Sequence, residues 1–477
     1  MSFLCLLALL GSTPSPAPTA PSRVRENVVV TAERAAEARE SVPAAVTVLT
    51  REEIERLPAE DLGELLRYLP GFHIHFGTPF GGAPMVSARG FFGGGEAEYV
   101  QLLVDGVPVS DVESGLADWR RIRAADVERI EALRGPASAM YGDAALGGLI
   151  QVFTRRGTGV RGGRLSVSGA SFGSWAADLA ASFPAGHAAF GAGATASRTD
   201  GFREHAAAED RGFDVSLRLP AAAGAWTVAL SGSSRDREEP GPRTSADLAS
   251  DRFGSDPLFR FDRDHSRRGR ASLSFHGGSD PAPLRGMLYG SWRDSDVTRT
   301  LLVAAGVGDR IFRSVETDAI GGSFEAERSS SRGPREARAV AGIDLARESL
   351  DTVYRSVGED GRRGGAAAAI SGRRLRFALF ASTAWEPVAR VRITGGVRWD
   401  SIADRFAGAP DSSQRAWSPR VGVSVRLGPL DRHPFSLFVD ASRAFKAPTI
   451  DQLFDPRPFP DFQGGTFRIS NPALQPQ

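Results

Sequence analysis

The chain of 477 residues contains a single cysteine, Cys5, and a single lysine, Lys446. One cysteine excludes a disulfide framework and a thiolate metal site. The 58 basic residues are balanced by 57 acidic ones, which leaves a formal charge of +1. A nucleic-acid partner normally needs a basic excess, so none is expected. The near-complete use of arginine over lysine reads as compositional bias. Long apolar runs are also missing. The N-terminal FLCLLALLG is too short to span a bilayer. With STPSPAPTAPS behind it, it has the layout of a secretory signal over residues 1–20, with cleavage near Ala17 or Ala20, although no Lys or Arg precedes the apolar run. No other stretch is apolar enough for a transmembrane helix. The sequence therefore predicts an exported protein without a helical anchor.

Catalytic signatures are lacking too. There is no G-x-S-x-G elbow, no Walker loop and no H-E-x-x-H helix. The stretch RGPASAMYGDAALGGLIQVF is rich in glycine, but these fall at 135, 142, 147 and 148, without G-x-G-x-x-G and without a surrounding βαβ unit. It opens a strand, so a phosphate loop is not expected. Carboxylates are spread over loops and not paired on one scaffold. The chain reads as a non-enzyme with no cofactor. His73 and His75 would share one side of an extended FHIHF segment, yet two histidines without a third ligand make a poor metal site.

What the sequence does contain is two kinds of patterning. Residues 24–157 mix helices and short strands into an α+β unit. Thr50-Arg51-Glu52-Glu53 has capping-box spacing, which predicts a short helix after Thr50. Leu62, Leu65, Leu66 and Leu69 have helical spacing, ended by Pro70-Gly71. In YVQLLVDGVPV, Asp105-Gly106 separates two apolar runs and predicts a hairpin. From about Gly162 onward the pattern becomes period two. Val391, Ile393, Val397 and Trp399 fall opposite Arg392, Thr394, Arg398 and Asp400. About thirteen segments of roughly ten residues follow this rule, separated alternately by short turns and long charged loops. A soluble sandwich would not need so many strands, nor charges along the inner face. A membrane barrel with a wet lumen suits both. Trp175, Trp226 and Trp417 near strand starts, and Trp292, Trp385 and Trp399 near strand ends, match an interfacial girdle.

The blocks VVVTAER, SVPAAVTVLTREEIERLPAEDLGELLRYLPGF, VSARGF, LLVDGVPV and VERIEALRGPASAMYGDAALGGLIQVFTRRG occur in order over about 130 residues. Together they resemble the plug domain of TonB-dependent outer-membrane receptors. SRAFKAPTIDQLF and NPALQP resemble barrel motifs of the same family. The resemblance implies a transmembrane antiparallel β-barrel with an N-terminal α+β plug in its lumen, in the outer membrane of a Gram-negative bacterium. It divides the chain into a signal peptide at 1–20, a linker with the TonB box at 21–37, a plug at 38–157 and a barrel at 158–477. The family barrel has 22 strands. Only thirteen or fourteen fit here, so the barrel is expected to be C-terminally incomplete and the sequence truncated.

The resemblance also implies roles. Val28, Val29, Val30, Thr31 and Ala32 match the TonB box, a β-branched run able to add as a strand to a partner sheet. The partners implied are TonB with its inner-membrane energising complex, outer-membrane lipid and a small metal-chelate ligand. The function implied is active uptake of a scarce ligand of the ferric siderophore, haem or cobalamin class. The alternatives are a nonfunctional or binding-only truncated receptor and a porin-like passive channel. The plug motif comprises Arg89 and Gly90, Asp105 and Gly106, then Glu131, Arg134, Gly135, Pro136, Tyr141, Gly142, Gly147 and Gly148. Glu131 and Arg134 are expected to pair with barrel or plug charges. Ligand candidates by position are Phe76 and Phe80 in one plug loop, and Asp111, Glu113 and Asp118 in another.

Overall fold

A computed structural model describes residues 29–30, 34, 37–38, 42–75, 84–92, 99–119, 122–155, 161–279, 281–304, 306–332, 335–427, 436–455, 459–460, 466–467 and 470–477. Near the N-terminus, strand β1 (Val29–Val30) pairs antiparallel with β2 (Glu37–Ala38). The plug then follows as β3 (Ala45–Leu49), α1 (Arg51–Ile54), α2 (Leu62–Leu65), β4 (Phe72–His75), β5 (Met85–Ala88), β6 (Val100–Val104), β7 (Val107–Pro108), β8 (Val127–Arg134), α3 (Ser138–Tyr141) and β9 (Gly148–Thr154). Five strands form one mixed sheet in the order β3-β8-β9-β6-β7, with β6 and β9 parallel.

Local chemistry accounts for each plug element. The Thr50 hydroxyl accepts from the Glu53 amide, and the Glu53 carboxylate accepts from the Thr50 amide, so α1 starts with the expected capping box. Asp61 caps α2 through the Glu64 amide at 2.9 Å. Leu62, Leu65, Leu66 and Leu69 are buried against Val100, Ile130 and Ile150, together with Trp119. Asp105 and Gly106 both have positive φ, 51° and 83°, as a two-residue hairpin turn requires. The Asp105 carboxylate also accepts from the Thr154 amide and hydroxyl at 2.9 and 2.6 Å, which ties this turn to the end of β9. Arg89 and Gly90 form a second tight turn between Ala88 and Phe91.

The second half is one antiparallel meander of thirteen strands in sequence order. These are β10 (Gly162–Gly169), β11 (Trp175–Ala185), β12 (Ala188–Thr199), β13 (Ala208–Ala221), β14 (Gly224–Glu238), β15 (Arg263–Ser279), β16 (Ala282–Ala304), β17 (Val307–Arg332), β18 (Arg335–Val357), β19 (Arg363–Val388), β20 (Val391–Phe406), β21 (Ser412–Arg426) and β22 (Ser436–Ser442). A short helix α4 (Ser245–Ser250) sits in the long β14–β15 loop, and α5 (Ile450–Leu453) follows β22. Among the described residues β10 and β22 are the edges of this sheet and do not pair with each other. The wall is therefore an incomplete barrel.

The wall is polar inside and apolar outside. Val439 is 75% exposed and Ile320 71% on the outer face, whereas Arg374 and Asp404 are 2% and 1% exposed on the inner one. Only lipid makes such an exterior stable, because in hydrocarbon a strand survives only with its backbone paired to neighbours.

The strands are longer than ten residues. β17 and β19 have 26 each, about 85 Å at the usual rise per residue, whereas a membrane crossing needs about 10. This corrects the placement of the tryptophans. Trp292 and Trp399 lie in the middle of β16 and β20, because the ladders continue past the membrane. Counted from the rim where β10 starts, Trp226 and Trp385 sit two and three residues in. Trp175, Trp292, Trp399 and Trp417 sit eight to ten residues in. The two levels are about 20 Å apart along a strand, close to the height of an outer-membrane apolar band. Trp399 and Trp417 are paired across strands at 6.4 Å between rings.

Candidate plug–wall interface

The glycine-rich stretch builds a loop that reaches from plug to wall. Its neck is stitched by two backbone bonds, Gly135 amide to Gly147 carbonyl at 3.0 Å and Ala137 amide to Ala145 carbonyl at 2.8 Å. Pro136 follows Gly135 at the turn. Gly148 leaves no room for a side chain, since a Cβ there would lie 2.5 Å from the Leu133 carbonyl oxygen, and Gly147 is nearly as tight. The tip carries α3, Gly142 and Asp143.

Two wall arginines grip this tip, and a third holds the segment that lies over it. Arg398 donates to the Met140 carbonyl at 3.2 Å and to Asp344 and Asp400 at 2.6 and 2.9 Å. Arg376 donates to Asp143 at 2.9 Å and Glu348 at 3.1 Å. Arg374 is bidentate to Asp404 and reaches the Pro448 carbonyl at 2.8 Å. Asp143 additionally accepts from the Ala447 amide at 2.8 Å and lies 3.8 Å from Lys446 Nζ. Burial pushes the Asp143 carboxyl up, but Lys446 and Arg376 outweigh it and hold it down at about 2. Segment 443–455, which resembles a barrel motif, is not a wall strand. It turns inward after β22 and lies over the plug, where Ile450 and Leu453 join Val315, Leu350 and Ile370 in an apolar cluster.

Gly142 has φ 75°, and a Cβ there would come within 2.9 Å of the Arg398 guanidinium. Gly142→Ala should therefore cost about 1–3 kcal/mol through backbone strain alone. A lowered denaturant midpoint for the plug, read by protease sensitivity of residues 135–147, checks it.

The N-terminal linker is fastened to the same cluster. Arg34 sits between β1 and β2 with φ 57°. Its guanidinium is bidentate to Asp344 and donates to Glu325 at 2.9 Å. It lies between the rings of Tyr141 and Phe380, at 5.0 and 4.3 Å. The Arg34 carbonyl accepts from Arg285 at 2.6 Å. Burial would lower the Arg34 pKa, but Asp344 and Glu325 reverse this and raise it; burial raises that of the Tyr141 hydroxyl. Thus Asp344 joins the linker to Arg398, and Arg398 joins α3.

The acidic loop that follows β7 is laid against the opposite part of the wall. Asp111 is paired with Arg293, Glu113 with Arg313 at 2.9 Å, and Asp118 with Arg235 at 3.0 Å. The Tyr354 hydroxyl also points to Glu113 at 3.4 Å. The three candidate ligand carboxylates thus each meet a wall arginine that carries no local sequence motif. Phe76 and Phe80 lie outside the described residues, as do Val28, Thr31 and Ala32. Glu131 accepts from Arg129 at 3.0 Å within the plug, and the Arg134 stem packs over Gly71. Arg89 passes over Gly135. His75 shares a 3.1 Å bond with Ser87. Between plug and wall lies a cavity of about 870 Å³, lined by plug residues such as Glu64, Asp111 and Asp126 and by inward faces of β10–β16.

Residues 38–149 match the family model described as the TonB-dependent receptor plug domain. Residues 230–477 match the TonB-dependent receptor-like β-barrel model. The chain belongs to the TonB-dependent receptor family. Its members are outer-membrane β-barrels that carry a plug, and the apolar exterior of the wall here fits that membrane. The fold agrees with solved TonB-dependent receptors. The unliganded ferric citrate transporter FecA is 18% identical with a TM-score of 0.74, covering 85% of this chain and 63% of that one. The pyoverdine receptor FpvA from Pseudomonas aeruginosa PAO1 is 14% identical with a TM-score of 0.74, covering 88% and 65%. The ferric-catecholate import receptor Fiu from E. coli K12 is 15% identical with a TM-score of 0.68, covering 86% and 71%. The chain thus spans about 63% of FecA's length.

Proposed function

We propose that the chain serves TonB-dependent uptake of a scarce metal chelate of the siderophore class across the outer membrane, and is not a passive channel. The observation that carries this reading is the Arg34 clasp. A plug held in the lumen by buried ion pairs blocks diffusion, and the clasp ties it to the short β1–β2 hairpin beside the candidate TonB box, Val28–Ala32. Val29 and Val30 pair with Ala38 and Glu37, so the strand edge is engaged while Arg34 is clasped. Release of the clasp would free a β-branched strand for a partner sheet. The solved relatives bear the names of iron chelates, ferric citrate and pyoverdine among them, which favours the siderophore class over haem or cobalamin. On this reading residues 1–20 are a signal peptide, 21–37 the TonB-box linker, 38–157 the plug and 158–477 the barrel portion.

The test is growth of a strain lacking this gene on iron supplied as single chelates, with the gene restored as wild type or as Val30→Pro. Proline removes the amide that strand addition uses. The wild type should restore growth on one chelate only in cells that have TonB, and Val30→Pro should restore none. Equal growth with the proline variant, or without TonB, would establish a passive channel.

A further inference from the structure

The outer face of β18–β21 carries four exposed arginines, Arg347, Arg373, Arg405 and Arg415. From β17 to β20 one outward rung reads Ile320–Arg347–Leu375–Ala403 and the next Asp318–Ser349–Arg373–Arg405. On β21, Arg415 stands opposite Ser401. The same two strands treat charge differently on their two faces. Inside, Arg374 stands opposite Asp404 and pairs with it. Outside, one residue along, Arg373 stands directly opposite Arg405, where like charges repel. Among the described residues the four make one ion pair, Arg405 with Asp411 at 3.8 Å, between side chains 82% and 66% exposed. A pair so exposed adds little. The height of the patch follows from the aromatic residues below it. Phe377 lies 6.0 Å from Trp399 between ring centroids, and Trp399 packs on Trp417. Arg415 is two residues beyond Trp417, Arg373 four beyond Phe377 and Arg405 six beyond Trp399, all toward the long loops. These steps are about 7, 13 and 20 Å along the strands, or up to about 15 Å of height at the usual barrel tilt. Long loops face the outside in such barrels, so the patch stands over the outer leaflet. The polar zone of a phospholipid leaflet is about 5–8 Å deep. A cationic face twice that tall fits a lipid whose headgroup is built of sugars.

We propose that this face binds the phosphorylated sugar headgroup of an outer-leaflet glycolipid, with the acyl chains on the apolar surface around Trp399 and Trp417. The surface lies outside the lumen and is independent of the uptake reading. Directly opposite residues have Cβ atoms about 4.5–5.5 Å apart, so one phosphate takes the forks of both Arg373 and Arg405 and removes their repulsion. Arg347 shares its rung with Ile320 and Leu375, which are 71% and 50% exposed. Its stem lies on that apolar surface while its head reaches the polar zone. Arg415, nearest the aromatic residues, meets the base of the headgroup. Guanidinium groups keep their charge throughout the physiological pH range.

The test is native mass spectrometry of the purified chain in detergent, titrated with rough lipopolysaccharide that keeps its core phosphates. The comparisons are the same lipid after chemical dephosphorylation and inorganic phosphate alone. Wild type should retain the phosphorylated lipid at a concentration about tenfold or more below that needed for the dephosphorylated one, and more weakly as salt rises. Arg373→Gln with Arg405→Gln should weaken retention about tenfold or more, as loss of charge-assisted bonds implies. Lysine at both positions should give an intermediate value, because it keeps the charge and loses the fork. Arg267→Gln should leave retention unchanged, since Arg267 is an outward cation on β15 that stands opposite Asp294. The inward Arg374–Asp404 pair is untouched in every variant, so the wall is kept. Equal retention by the glutamine double variant, an equal loss in Arg267→Gln, or no preference for the phosphorylated lipid would each overturn the proposal. Displacement by inorganic phosphate at the concentration of the lipid would show a free-anion site and overturn the lipid assignment.

Discussion

Asp143→Ala is expected to destabilise the plug–wall junction by about 3–5 kcal/mol, the cost of removing one partner from a buried ion pair. The change strips an anion from Arg376 and Lys446 and an acceptor from the Ala447 amide. Glu348 still faces Arg376, so the wall strand β19 should hold while segment 443–455 loosens. Denaturant unfolding followed by protease access to residues 443–455 measures both effects. The same residue sets a pH dependence. Its carboxyl lies at about 2 in the folded chain, below the ordinary 3.8. A depressed carboxylate pKa stabilises the fold above the unfolded value, so about 2 kcal/mol is present above pH 4 and is lost as pH falls toward 2. Asp143→Asn should flatten the wild-type loss of midpoint between pH 4 and pH 2.5. An unchanged slope would place the acid sensitivity elsewhere.

Arg34→Ala is expected to release the N-terminal linker without unfolding the wall. Asp344 keeps Arg398, and Glu325 keeps Arg285 at 3.1 Å, so neither carboxylate is stranded. What disappears is a tridentate anchor stacked between two rings. Charge-assisted bonds of this kind put the shift at about tenfold to a hundredfold in the docked–released equilibrium. With Cys5 replaced by serine and Ala32 by cysteine, an impermeant maleimide should label position 32 faster by that factor in the Arg34→Ala background. Arg34→Lys should give an intermediate rate, because a lysine keeps the charge but loses the bidentate fork. Equal labelling in all three would show that the clasp does not hold the linker.

The readable parts of this chain are those governed by short-range rules. The Thr50 capping box, the Asp105-Gly106 turn and the leucines of α2 depend on neighbours within four residues, and all three form as spacing predicts. The wall was legible where one face meets lipid, as at Val391–Asp400. Strand length was not, because above the membrane both faces meet water. In VGDRIFRSVETD alternation fades while the ladder of β17 continues. The acidic loop shows the other limit. Asp118 and Arg235 are 117 positions apart, and nothing local in either marks the pairing. Its acids read as open ligand contacts, whereas each is engaged by the wall. Segment 443–455 carried a barrel motif, yet its apolar residues are satisfied by packing over the plug.

The single lysine gives this interface its own reporter. Lys446 is 5% exposed and lies beside Asp143, within the segment that roofs the plug. Every other side-chain cation is a guanidinium, inert to amine reagents. An acylating probe therefore has one buried side-chain target, and its rate of modification reads how often the roof lifts. Plug release and roof lifting can thus be timed in the same molecule, one by thiol chemistry at position 32 and the other by amine chemistry at position 446.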